Sequence, residues 1–129
     1  ISKNCINKWN NKNNIFFLGQ RDDIKDLLAL SDVFIFPSFY REGIPRVILE
    51  ALSMGLPIIT TNMPGCKLTV QNGKNGYLIK PRSKNAIIKS MQSLKKLNFE
   101  NIRSISRNKS KRAFSQKKIF EEIENIYHL

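Results

Sequence analysis

Short, wholly apolar runs alternate along this chain with longer stretches whose apolar residues recur at helical spacing. The first kind suits strands covered on both faces, the second suits helices that bury one stripe. Ile15 to Leu18 is the first run, and Gly19 ends it. Asp22 or Asp23 can cap a short helix through Leu30, with Ile24, Leu27 and Leu28 as its core-facing stripe. Ser31-Asp32 turns into the second run, Val33 to Phe36. A helix from Pro45 to Met54 follows. Proline's fixed φ suits the first helical position, Gly55 can take the left-handed C′ conformation, and Pro57 prevents continuation. Leu56 to Thr60 is the third strand. Thr61 to Cys66 reads as a Pro-Gly turn, and Lys67 to Gln71 as one or two helical turns. Asn72 to Gly76 is a turn cluster, and Tyr77 to Ile79 the fourth strand. Pro81-Arg82-Ser83 opens the next helix, with Ala86, Ile87, Ser90, Met91 and Leu94 along one side. From Phe99 onward the pattern is helical, with apolar stripes of Ile102, Ile105, Phe114, Ile119, Ile123 and Ile126, and Ser115 capping the last helix. Residues 1–14 read as a polar helix or an irregular lead-in anchored by Trp9.

Strand, helix and strand joined by short connections give parallel strands with a right-handed crossover. Four strands alternating with helices argue a small α/β domain, doubly wound, with a parallel sheet. In that arrangement the loop from Ser38 to Ile44 lies at the carboxyl end of a strand and over a helix N-terminus. Open α/β sheets bind ligands there, and the free N–H groups of the first helical turn favour anions.

Composition adds charge to this picture. The 129 residues suffice for one domain with a moderate core, and no internal repeat, low-complexity tract or linker divides them. The net charge of +12 is unevenly placed: residues 1–64 hold 7 Lys/Arg against 6 Asp/Glu, a net +1, and residues 65–129 hold 15 against 4, a net +11. Such a surface suits anionic lipid, nucleic acid or phosphorylated substrates, or it is a solvated set of helix faces. No apolar run approaches the roughly 20 residues of a membrane-spanning helix. The Lys- and Asn-rich start is not a signal peptide, and a chain beginning at Ile1 is expected to be a fragment. Cys5 and Cys66 form neither a disulfide framework nor a metal-ligand cluster, so a reducing compartment is expected.

Two carboxylates frame the central helix. Glu50 interrupts the apolar run from Val47 to Leu52, and Arg46, Glu50 and Ser53 fall at i, i+4 and i+7. Spacing alone leaves two readings open: a site residue, or a solvated charge paired with Arg46 and worth a few tenths of a kcal/mol. Glu42 sits in the loop over the positive helix end, where a carboxylate is electrostatically favoured. It is placed to accept hydrogen bonds from a bound polyol, or it merely supports the helix. Gly43 beside it lets a ligand approach the backbone closely.

These residues resemble a known family. Phe39-Tyr40-Arg41-Glu42-Gly43-Ile44-Pro45, Leu49-Glu50-Ala51 and Gly55-Leu56-Pro57-Ile58-Ile59 are similar to the signature of the retaining family 4 glycosyltransferases, with Glu42 and Glu50 as its Glu-x7-Glu pair. Phe17-Leu18-Gly19 with Asp22-Asp23-Ile24, Leu30 to Ser38, Pro64-Gly65-Cys66, Asn75-Gly76-Tyr77-Leu78, Ala113-Phe114-Ser115 and Ile126-Tyr127 extend the likeness over roughly residues 15–127. The resemblance implies the GT-B architecture of two facing Rossmann-like domains, of which this chain would be the C-terminal, donor-binding one.

The resemblance also implies roles. Glu42, the candidate catalytic residue, would hold hydroxyls of the donor sugar. Backbone N–H groups around Gly43 and Ile44 would meet sugar and diphosphate. Glu50 would hydrogen-bond the ribose, and Gln20 and Arg21 would lie by the nucleobase. Thr61 to Cys66 would line the donor cleft. No cofactor or metal is implied beyond the nucleoside-diphosphate sugar itself, and His128, the only histidine, is expected at the surface rather than as a base. The donor would be a UDP- or GDP-type sugar carrying a hexose or N-acetylhexosamine. The acceptor would be a glycan or polyprenol-linked saccharide in bacterial polysaccharide synthesis. An acceptor domain and the basic pair on the diphosphate would lie upstream of Ile1, so this chain alone should bind nucleotide weakly and not catalyse. A cytoplasmic location is implied, peripheral on the inner membrane face, with an anionic membrane surface and not nucleic acid as the further partner. The alternatives are a GT-B epimerase or phosphorylase domain, and a non-enzymatic basic module that binds nucleic acid or protein.

Overall fold

The structure is a computed structural model and describes residues 2–10, 12 and 14–127; His128 lies outside them. The elements run α1 (Lys3–Asn10), α2 (Ile24–Ala29), β1 (Phe34–Phe36), α3 (Arg46–Ser53), β2 (Ile58–Thr61), α4 (Pro64–Lys67), β3 (Gly76–Ile79), α5 (Lys84–Leu94), α6 (Phe99–Phe114) and α7 (Gln116–Tyr127). The three strands form one parallel sheet in the order β1-β2-β3, with Phe34 opposite Ile58 and Ile58 opposite Gly76.

Strand alternation divides the core into two layers. Ile58 joins Leu28, Ile48, Ala51, Leu52, Leu56, Cys66 and Val70 on one face, with Phe34 and Phe36 packed against them. Ile59 joins Ile79, Leu94 and Ile102 on the other, with Val33, Ile35, Ala86 and Ile87 alongside. Helices α2, α3 and α4 therefore cover one face, and α5 and the start of α6 the other. This is the α/β, doubly wound arrangement that the sequence pattern implies.

The ends of α3 follow the punctuation in the sequence. Gly55 has φ 82°, its N–H donates to Leu52 O, and the Leu56 N–H donates to Ala51 O. That pair of bonds is a Schellman closure, and it turns the chain straight into β2. At the other end Pro45 takes the cap position with ψ 127°, one residue before the first helical turn. Ser83 Oγ accepts from the Ala86 N–H to cap α5, Asn98 Oδ1 from the Asn101 N–H to cap α6, and Ser115 Oγ from the Lys118 N–H at the start of α7.

Five expectations are corrected. Ile15 to Leu18 is not a strand, and Phe16 is 76% exposed. A run this short holds strand geometry only through a neighbour's ladder, and it lies outside the three-stranded sheet. β1 is accordingly half-buried rather than covered. The helical turn expected at Lys67 to Gln71 instead occupies Pro64–Lys67, the segment read as a Pro-Gly turn, because proline suits the first turn of a helix as well as a bend. Trp9 is exposed rather than an anchor, and the α7 stripe of Ile119, Ile123 and Ile126 is exposed as well.

Candidate functional site

The site is built on the loop between β1 and α3. Two threonines of β2 hold its start. Thr60 Oγ1 donates to Phe36 O at 2.8 Å, and Thr61 Oγ1 donates to Ser38 O at 2.5 Å. Both threonines are fully buried. Their β-branched side chains suit a strand, and their hydroxyls satisfy carbonyls at the point where β1 leaves the sheet.

The far end of the loop is held by α4. A Cβ on Gly65 would lie 2.1 Å from Gly43 O and 2.6 Å from Glu42 O, closer than any side-chain carbon can approach. Gly65 and Cys66 are buried. Thr61 to Cys66, expected to line the cleft, thus includes residues that grip the backbone of the Glu42 loop from beneath.

Glu42 is exposed, and its Oε1 accepts a hydrogen bond from Ser38 Oγ at 3.1 Å. Gly43 differs from Gly65: a Cβ there would meet nothing within 4 Å, so the fold itself does not require glycine at that position. Ile44 is half-buried and leads into Pro45. No side chain caps the N-terminus of α3. Glu42, Gly43 and Ile44 are therefore gathered at the carboxyl end of β1 and the amino end of α3, where partial positive charge favours carboxylates and phosphates.

Glu50 lies on α3, one turn beyond Arg46. Arg46 Nε donates to Glu50 Oε1 at 3.0 Å; the Arg46 side chain is 92% exposed and that of Glu50 34%. The solvated pair that spacing allowed is formed. It is an exposed helix pair of low energy, so it leaves Glu50 cheap to recruit.

Gln20 and Arg21 lie in the segment before α2, and with Asp22 and Asp23 they line a recess of about 310 Å³. Arg21 Nε donates to Asp23 Oδ1 at 2.7 Å and its terminal nitrogen to Asp23 Oδ2 at 2.5 Å. Hydrogen bonding to the guanidinium holds the Asp23 carboxyl below the usual carboxylate range. A larger apolar cavity, about 410 Å³, lies at the amino end of β1 between Asp32, Val33, Met91, Leu94, Lys95 and Phe99, opposite the Glu42 loop.

Sequence reasoning missed the residues that hold the loop. Thr60 signalled itself only as a polar position ending a buried strand, and Thr61 as the start of a turn, whereas the structure carries β2 through Thr61. Gly65 was visible as a turn glycine, not as a close approach. Among the described residues, no helix is long and apolar enough to cross a membrane and no cluster of three His, Cys, Asp or Glu is placed to hold a metal ion.

Comparison with known proteins adds the family. Residues 2–113 match the family described as glycosyl transferases group 1. The chain is 37% identical over 128 residues to the UDP-Gal:alpha-D-GlcNAc-diphosphoundecaprenol alpha-1,3-galactosyltransferase of Escherichia coli, covering 98% of this chain and 33% of that protein. It is 38% identical over 101 residues to the capsular polysaccharide biosynthesis glycosyltransferase CapM of Staphylococcus aureus, covering 75% of this chain and 26% of the relative. Among solved structures, Anabaena Alr3699/HepE in complex with UDP superposes with a TM-score of 0.82 at 27% identity, over 96% of this chain and 35% of that one. The chain thus spans about a third or less of the proteins it matches. Matched over most of its length, this chain belongs to the group 1 glycosyl transferase family.

Proposed function

We propose that this chain is the donor-binding part of a retaining glycosyltransferase. The observation that carries the proposal is the grip of Gly65 on the Glu42–Gly43 backbone, which fixes an exposed carboxylate and an open glycine over the start of α3. Glu42 takes hydroxyls of the donor sugar. The amides around Gly43 and Ile44 take the sugar and diphosphate. Glu50 leaves Arg46 to take the ribose, and Gln20 and Arg21 lie by the base.

Glycosyl transfer develops positive charge on the sugar and expels a nucleoside diphosphate. Amides fixed before the reaction stabilise the departing phosphate without reorganising, and such preorganised electrostatics is usually the largest catalytic term. Glu42 orients the sugar, and its charge favours the developing cation. Cations on the diphosphate and the acceptor-binding groups belong to chain beyond this third of the enzyme.

The donor is a UDP- or GDP-type sugar carrying a hexose or N-acetylhexosamine. UDP is favoured by the Escherichia coli relative, whose name specifies UDP-Gal, and by the UDP complex of the Anabaena protein. The same relative's diphosphoundecaprenol acceptor supports a glycan or polyprenol-linked acceptor here. Such an acceptor supports a cytoplasmic enzyme working at the inner face of the membrane, and the net +11 of residues 65–129 suits an anionic surface.

Saturable binding of a UDP- or GDP-sugar, lost in Glu50→Ala, tests the proposal. Salt-sensitive RNA or DNA binding that ignores Glu42 and Glu50 would favour a basic binding module instead.

A further inference from the structure

Thr61 fixes the loop between β1 and α3 at Ser38, and Gly65 fixes it at Glu42 and Gly43. Between those points stand Phe39 and Tyr40, 40% and 66% exposed, with rings stacked at 4.2 Å and 30°. Their partner comes from the far side of the sheet. Arg82, in the turn between β3 and α5, places its guanidinium carbon 4.4 Å from the centre of the Phe39 ring. Because β2 lies between β1 and β3, this contact spans the whole sheet at its carboxyl end.

Arg82 has φ 58°, and it is the one non-glycine residue with positive φ among those described. A residue that carries a Cβ resists that conformation, which glycine accepts freely. The turn therefore carries a side chain at a conformational cost, and the contact which that side chain makes is with Phe39.

We propose that Arg82 is a positioning residue for Glu42, clamping the Phe39–Tyr40 segment so that the loop presents Glu42 toward the donor sugar. The clamp rests on geometry alone. Its consequence for the sugar rests on the donor-binding reading given above.

Arg82→Gly separates the clamp from the turn, because glycine keeps the positive φ and removes the guanidinium. Hydrogen exchange on the whole chain should show the amides of residues 39–42 opening about 2- to 5-fold more often, as the loss of one exposed cation–π contact implies. The melting temperature should stay level or rise. Arg82→Lys, which keeps the charge but not the planar stacking group, should fall between parent and glycine variant. Unchanged exchange at residues 39–42 in Arg82→Gly overturns the clamp. In titrations, affinity for UDP-glucose should fall by a similar factor while affinity for UDP stays constant. Equal loss for both, or no loss, overturns the link to Glu42. A parent chain that binds neither nucleotide defeats the donor-binding reading and the sugar link together, and the exchange result still decides the clamp.

Discussion

Gly65 sits so close to Gly43 that a Cβ on Gly65 would lie 2.1 Å from the Gly43 carbonyl oxygen, whereas a Cβ on Gly43 would meet nothing. The two glycines should thus answer substitution in opposite ways. Gly65→Ala forces backbone apart at the base of the loop and should cost roughly 1–3 kcal/mol, as overpacking does. Gly43→Ala should change stability by less than about 0.5 kcal/mol yet weaken nucleotide-sugar binding by crowding the ligand side. Denaturant unfolding and ligand titration of the two variants check both halves.

Thr61 anchors the other end of the loop. Thr61→Val keeps the shape and removes the hydroxyl that donates to Ser38 O. The expected loss is about 1 kcal/mol, the value of one hydrogen bond in a largely buried setting. Exchange of the amides from 38 to 42 should quicken as well. A stability equal to that of the parent would mean that the bond holds nothing.

Arg46 and Glu50 form an exposed pair one helical turn apart. Breaking it should cost only a few tenths of a kcal/mol from either side. Binding should separate the two residues. Arg46→Ala frees Glu50 and should leave nucleotide affinity level or improved, whereas Glu50→Ala should weaken it by about tenfold or more, as loss of a charged hydrogen bond to ribose implies, and so abolish measurable binding at an already weak site. Equal behaviour in titration would make Glu50 a solvated charge.

Asp23 is held below its usual pKa chiefly by the hydrogen bonds from Arg21. A depressed carboxyl adds stability above its unfolded-state pKa and loses it as pH falls through the folded value. The Arg21–Asp23 contribution should accordingly be present at neutral pH and vanish in acid below the ordinary Asp range. Carboxyl chemical shifts followed against pH should show Asp23 returning to that range in Arg21→Ala. A base that engages Arg21 would compete with Asp23 for the guanidinium.

The sequence made the frame of the site legible through its punctuation. Pro45, Gly55 and Pro57 bounded α3 to within a residue, since each acts through its own backbone geometry. Ile58 and Ile59 declared a strand buried on both faces, and the two core layers confirm it. Glu42 and Glu50 stood out as charges that the apolar pattern did not need. The holding contacts were illegible because they join segments distant in sequence: Thr61 to Ser38, Gly65 to Gly43, Arg82 to Phe39. Periodicity reports which face a residue occupies, not which loop it meets. Ile15 to Leu18 failed for a related reason, as its composition suits a strand but pairing depends on a neighbour.

The most direct measurement of the central claim is a titration of the chain with UDP-glucose and with GDP-mannose, followed by backbone amide resonances, which register even weak binding. The donor-site account predicts saturable shifts with one of the two bases, centred on Gly43, Ile44, Arg46 and Glu50 and abolished in Glu50→Ala. Shifts that ignore this loop, or that persist unchanged in Glu50→Ala, would contradict it.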